Sequence, residues 1–551
     1  MGAQRSNVKK NFLSGVLLLS FSTLLVKIIG LIYKIPMLAY LGSEGMGYFN
    51  SAYEIYALFC VIATAGLPVA LSVLISGAIA RGEYHRVRHI YRAATTVFLW
   101  IGVLGTLIML LFARRFCAMI KSENAYACIL SIAPTVFFVC VSSALRGYFQ
   151  GFQRMLPTAI SQIIESVGKL VFGLLFAKWA LNAGYSTATV AAFAGVGLSL
   201  GTAVAMLYLL LEKKRFSGKQ PKEWGTLAAD FSEKYRDIWK KLAKLAIPMT
   251  LGASLVSVTK LIDMTMILRR LQSIGYSEMS ANEAYGSYTT LALSVYGLLP
   301  ALVNAVALPL VPMLSAAIAA KDVEKQEQMV RTSYRLTAFF AIPASLGVAA
   351  FSGPILSLLF GSDPHAVALA SPLLSYLGVS VFLSCMITAT NSVLHAYQEV
   401  NRPIFSMLAG AVVKIISAYF LIGIPKLALA GAPISTFLCN SVVVLLNLYF
   451  SAKLCHITKL REILFKPLLA SILSLGLATW SYWFFSTRLE SESIVFLLAL
   501  IIAVIAYVPL SCLFGVFGAE DLRLLPFGEK ICGAFLRLKL IPKDSPQKPT
   551  D

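Results

Sequence analysis

Charge is scarce in this chain. Only 13% of its 551 residues are Asp, Glu, Lys or Arg, while 58% are hydrophobic. A soluble domain carries about twice that charged fraction. The shortage excludes an ordinary water-soluble fold. A mean hydropathy of +0.77 points to an all-α polytopic membrane protein. A β-barrel would instead show short alternating segments. Acidic residues are the scarcer sign, 26 against 47 Lys and Arg, for a net charge of +21. The basic excess lies in loops of one topological side, where it meets anionic lipid headgroups. No nucleic-acid partner is expected.

Other absences narrow the chemistry. The nine cysteines stand singly, with no CxxC and no paired framework. Most lie in apolar segments, so buried free thiols are expected rather than a disulfide scaffold. There are only five histidines. His85 and His89 share a spacing of i, i+4 in what reads as a basic loop, but no Cys or acidic cluster accompanies them. No metal site is expected. No GxxxxGK[ST] occurs, which excludes a P-loop ATPase. No loop is large enough for a catalytic domain, and no Asp/Glu pair occupies a long external loop. An enzyme is therefore not expected.

Long apolar runs, by contrast, are plentiful. Stretches long enough to span fall at about 12–33, 48–80, 93–112, 126–148, 158–178, 187–211, 246–270, 285–317, 333–359, 366–396, 404–424, 428–454, 465–485 and 493–515. Fourteen transmembrane helices are thus expected. The first, from Phe12 to Tyr33, is too long for a signal peptide and lacks a cleavage pattern, so it reads as an uncleaved helix. With the N-terminus inside, 34 Lys and Arg fall in inner loops and tails. Nine fall outside: Lys34, Arg114, Arg115, Lys121, Lys178, Arg269, Arg270, Lys426 and Arg488. That split places both termini in the cytoplasm. The expected layout is an N-lobe over 1–211, a basic cytoplasmic linker over 212–245 and a C-lobe over 246–454. Two further helices follow over 455–515, and a cytoplasmic tail over 516–551.

The halves repeat. "LLVKIIGLIYKIPMLAYLG" (24–42) aligns with "SVTKLIDMTMILRRLQSIG" (257–275), and the segment 147–170 with 395–416. Two pseudo-symmetric six-helix lobes are expected, parallel about an axis along the membrane normal. Gly66 with Pro68, Pro300, Pro309 with Pro312, and Pro343 punctuate the helices and bend them. Bent helices at matching positions suit rocking between inward-open and outward-open states.

Four lysines sit inside these spans: Lys27, Lys169, Lys260 and Lys414. Each costs about 3 kcal/mol near the bilayer centre. Lys27 and Lys260 lie in matching first helices of the halves; Lys169 and Lys414 lie in matching fifth helices. This describes a central cationic cavity suited to an anionic substrate. Glu165 and Lys169 are four apart and Lys260 and Asp263 three apart, so each pair shares a helical face. Glu54 adds a third carboxylate. Arg146 completes the set of expected substrate contacts. If Glu165 pairs only with Lys169, removing Lys169 alone strands a carboxylate, and the double neutral variant should fold better than the single.

The stretch "SALRGYFQGFQRMLPTAISQIIESVGKL" (143–170) resembles the bacterial polysaccharide-biosynthesis and stage V sporulation protein B family. These are relatives of the MurJ-type lipid II flippases in the multidrug/oligosaccharidyl-lipid/polysaccharide (MOP) superfamily. "TLLVKIIGLIYKIPMLAYLGSEGMGYFN" (23–50) and "GLPVALSVLISGAIARGE" (66–83) resemble its first two helices. The likeness covers essentially the whole chain. It places Asp263 on an acidic position that family members share. It implies a flippase, working as a monomer in the bacterial cytoplasmic membrane, for an undecaprenyl-diphosphate-linked sugar precursor such as lipid II. Membrane potential or a monovalent ion gradient, and no cofactor, would drive it. Cell-wall synthesis proteins are the implied partners, in growth or in sporulation.

Two other readings compete. A multidrug or organic-ion exporter of the same superfamily should have an acid-rich, lysine-poor cavity, the reverse of this pattern. A membrane glycosyltransferase would need outward-facing catalytic carboxylates, and Glu44, Glu278, Glu283 and Asp363 are scattered.

Overall fold

The computed structural model describes residues 2–218, 234–307, 310–399, 401–455 and 460–516. Every regular element among the described residues is helical. Among the described residues nine α-helices precede the break between two compact units: α1 Gly2–Thr64, α2 Gly66–Ala80, α3 Tyr84–Leu111, α4 Ala113–Ile120, α5 Tyr126–Gly151, α6 Leu156–Asn182, α7 Thr187–Gly218, α8 Tyr235–Ser273 and α9 Glu278–Ser287. Nine more follow: α10 Leu293–Ala307, α11 Leu310–Ala319, α12 Val323–Ala350, α13 Ser352–Phe360, α14 Pro364–Ala396, α15 Asn401–Ile422, α16 Gly431–Leu454, α17 Leu460–Ser486 and α18 Glu492–Leu513. The first unit comprises residues 1–290 with 422–429, the second 291–421 with 430–551.

Among the described residues eleven helices are long and apolar enough to cross a membrane, or twelve if the pair α12 and α13, bent by 80°, is one span. The expected spans 12–33 and 48–80 both fall on the continuous course of α1 and α2. Gly42 divides α1, with φ 61° and ψ 177°. A glycine adopts that left-handed conformation without strain from a Cβ. The expected span 285–317 is interrupted in several ways. It runs through α9, a π-helical turn over Tyr288–Ala292, and α10 with Pro300 inside it. Pro309 lies outside the described residues. The polar connection 212–245 is helical at both ends, since α7 continues to Gly218 and α8 begins at Tyr235.

Two placements differ from expectation. His85 and His89 lie on the first turns of α3, not in a loop. Val87, Ile90 and Tyr91 are buried there at helical spacing and hold the helix down. Lys34 lies within α1 rather than in an outer loop. Thiols follow expectation. None of the eight described cysteines is in a disulfide, and six of them are buried.

Small residues bring the first unit's helices together. A Cβ on Gly168 of α6 would stand 2.6 Å from the Gly201 Cα of α7. In α1 the backbone of Gly47 meets Asn282 of α9, and a Cβ on Gly286 would stand 2.6 Å from the Gly47 nitrogen. Such contacts need glycine, because in lipid close packing replaces the hydrophobic drive between helices. Gly47→Leu should therefore sharply lower the yield of monodisperse protein after detergent extraction. Gly30→Leu should not, since nothing lies within 4 Å of its Cβ direction. Equal yields from the two variants would refute the close α1–α9 packing.

The second unit has its own core. Tyr334 of α12, Met386 and Val393 of α14 and Ile463 of α17 are buried together. Ser345 donates to the Gly378 carbonyl at 2.6 Å, and Tyr507 of α18 to that of Phe339 at 2.8 Å. The last two helices are thus tied to α12, although Trp480 and Trp483 on α17 are largely exposed.

Candidate functional site: a cationic cluster at membrane depth

The site is built around Glu165. On α6, Glu165 and Lys169 are one turn apart, and the Lys169 Nζ reaches Glu165 Oε1 at 3.0 Å. The other oxygen, Oε2, is held by Arg146 Nη2 of α5 at 2.9 Å. Arg146 Nε also donates to the Ser161 hydroxyl at 3.0 Å. Ser161 in turn donates to the Thr158 carbonyl at 2.8 Å. The three charged side chains are 13% to 21% exposed. Glu165 thus engages two cations, so the cluster keeps a net positive charge.

A second group lies on α1 and α8. Lys260 is within electrostatic range of both Lys27 and Lys34. Glu54 is close enough to act on Lys34, and Glu54 and Asp263 both act on Tyr285. Tyr53 connects the two groups, feeling Lys169 and Glu165 on one side and Glu54 on the other. Lys27 and Lys260 are exposed, while Lys34, Glu54 and Asp263 are half-buried. The first unit therefore gathers five cations, Lys27, Lys34, Arg146, Lys169 and Lys260, around three carboxylates. Lys414 stands on α15 in the second unit, half-buried.

Sequence reasoning missed Lys34. Its signal was present: Lys27 and Lys34 are seven residues apart, which puts them two turns apart on one helix face. Reading the first span as ending at Tyr33 hid it. The Lys34 Nζ donates to the Thr289 carbonyl in the π turn at 3.2 Å. Asn50 fastens the same turn, its amide donating to the Thr289 hydroxyl at 2.8 Å and to that of Thr290 at 2.9 Å. π turns recur at functional positions because they leave backbone groups for other partners. Nearby, Tyr48 donates to Glu44 at 2.7 Å, and the Asn124 backbone N–H to Glu278 at 3.1 Å. The scattered carboxylates Glu44 and Glu278 thus serve structural bonds.

Among the described residues no group of three or more His, Cys, Asp or Glu could hold a metal ion.

Many apolar spans enclosing a charge network define a polytopic helical membrane protein. Residues 12–318, more than half of the chain, match the family described as Polysaccharide biosynthesis protein, and residues 248–420 match the MatE family. The chain belongs to the polysaccharide biosynthesis protein family. It is 25% identical over 434 residues to lipid II flippase MurJ of Bacillus subtilis (strain 168), covering 74% of this chain and 77% of the relative. It is 24% identical over 456 residues to stage V sporulation protein B of the same strain, covering 82% and 86%. A solved structure of lipid II flippase MurJ in an inward closed conformation covers 90% of this chain and 98% of its own, with TM-score 0.68 and 16% identity. That last likeness concerns the fold.

Proposed function

We propose that the chain is a flippase for an undecaprenyl-diphosphate-linked sugar precursor, with lipid II as the first candidate. The observation that carries this is the like-charged cluster of Lys27, Lys34 and Lys260. Three cations of one sign at membrane depth repel one another and lose hydration. Lys34 is tied to the Thr289 carbonyl and feels Glu54, but Lys260 repels both Lys27 and Lys34, and an anion that visits the cluster relieves that repulsion. A diphosphate supplies that charge. Arg146 and Lys169, partly neutralised by Glu165, and Lys260 near Asp263 grip it and release it as the internal pairs re-form. Lys414 keeps the role that the repeat assigns to it, as a proposed substrate contact. The names of the relatives MurJ and stage V sporulation protein B support the substrate class.

In this reading fourteen spans form two six-helix lobes plus two helices in the bacterial cytoplasmic membrane, with both termini inside. Alternating access is driven by membrane potential or a monovalent ion. The protein acts as a monomer alongside cell-wall synthesis proteins.

The test is depletion of the protein followed by analysis of the lipid-linked sugars that accumulate. Accumulation of one such species on the cytoplasmic side is the expected result. No accumulation, with increased sensitivity to organic cations, would favour an exporter, the reading that the MatE match leaves open. Topology is checked with single cysteines in a cysteine-free background. One near position 225 should be shielded from an impermeant external thiol reagent, and one near 363 should label. Labelling at 225 in intact cells would overturn the inside placement.

A further inference from the structure

A second basic cluster lies in the first unit where α3 and α8 begin and α7 ends. Lys213 of α7 is half-buried, with its Nζ 3.8 Å from the Tyr91 ring centroid and 5.8 Å from that of Tyr148. These aromatic faces hold the ammonium in place. Arg88 and Arg92, one turn apart on α3, are within electrostatic range of the same Nζ. Neighbouring arginines are already paired: Arg81 and Arg86 share Glu83 at 3.0 and 2.7 Å, and Arg154 reaches Glu212 at 3.8 Å. Among the described residues no carboxylate pairs with Arg88, Arg92 or Lys213. Three like charges are thus held together by packing, with no carboxylate partner among the described residues. Such an arrangement is stabilised by an anion from outside.

The depth of the cluster identifies that anion. Trp239 and Tyr235 of α8 flank α3, with the Trp239 indole donating to the Ala93 carbonyl at 2.9 Å and the Tyr235 ring 4.7 Å from that of His89. Both are partly exposed, at 40% and 38%. Tyr and Trp with an apolar body and a polar tip mark the headgroup level of a bilayer. Basic pockets between helices at that level take lipid headgroups.

We propose that Arg88, Arg92 and Lys213 form a binding site for the phosphodiester of an anionic glycerophospholipid, separate from the transported substrate. The Tyr91 and Tyr148 rings position Lys213, and the two arginines close on the phosphate from α3. The lipid's acyl chains lie along the exposed apolar faces of the helices. Occupancy neutralises the cluster and ties α3 to α7, so the bound lipid stabilises the unit.

The test uses the full chain purified in a neutral detergent. Thermal unfolding is followed while phosphatidylglycerol, phosphatidylcholine or inorganic phosphate is added. Phosphatidylglycerol should raise the unfolding midpoint, and phosphatidylcholine and inorganic phosphate should not. Arg88→Gln and Arg92→Gln alter exposed side chains and should fold normally. Each should weaken the phosphatidylglycerol response about fivefold in half-saturating concentration, since one basic residue at a lipid surface contributes about a factor of that size. Lys213→Gln should do likewise, and Lys321→Gln, an exposed lysine of the second unit, should have no effect. An undiminished response in both arginine variants would overturn the site, as would an equal response to inorganic phosphate or none to phosphatidylglycerol. Flipping of the sugar-linked substrate is not the readout, so failure here leaves the transport proposal standing, and the reverse holds too.

Discussion

Glu165→Gln should be the most damaging single change to the charged site. It leaves Arg146 and Lys169 together with no carboxylate between them. Breaking a buried pair by removing one partner costs about 3–5 kcal/mol, because the remaining charge is uncompensated. Here one substitution strands two cations that then repel each other. Lys169→Ala should be far milder, because Arg146 still holds Glu165 at 2.9 Å. The double variant should be intermediate, since it strands Arg146 alone, with Ser161 still accepting from Nε at 3.0 Å. This order reverses the expectation drawn from the Glu165–Lys169 spacing, in which the single lysine change was the worse of the two. The measurement is the unfolding midpoint of detergent-extracted protein for the three variants. A Lys169→Ala variant less stable than the double would refute the three-membered network. With its fold retained, Lys169→Ala also tests function cleanly. Near-normal flipping in that variant would reduce Lys169 to a packing residue.

Lys27→Met and Lys260→Met should each cut flipping by roughly ten- to a hundredfold, the scale of one lost hydrogen bond to a charged group. Both should leave the fold as stable as before, or more so. The reason is that Lys27 and Lys260 repel each other, so neutralising one relieves a like-charge contact. Gained stability with lost activity is the signature of a site kept for binding. Lys27→Arg retains the charge and should flip well. Flipping would be measured in proteoliposomes carrying a diphosphate-linked lipid, with melting curves on the same preparations. Full activity in both methionine variants would refute the cationic-site proposal. Loss of activity together with loss of fold would recast the lysines as structural.

The chain by itself determined what local rules and solvent preference decide. Its class follows from the apolar fraction, because twenty apolar residues in succession have one stable environment. The Glu165–Lys169 pair followed from helical periodicity, since residues four apart on a helix are neighbours wherever that helix lies. The lysines at membrane depth were visible for the same reason, a charge within an apolar run being conspicuous. Segment ends were less legible. Hydropathy ends a helix where polarity rises, whereas backbone hydrogen bonding carries α1 through Lys34 and α3 back to Tyr84. What only the tertiary structure decided is which helices are neighbours. Arg146 reaches Glu165 across nineteen positions of sequence, Lys260 approaches Lys27 and Lys34, and Lys34 donates to the π turn at Thr289. These meetings depend on close approaches such as Gly47 to Gly286. In lipid, helix pairing is set by shape and polar contacts between surfaces, and neither is written in the periodicity of a single segment.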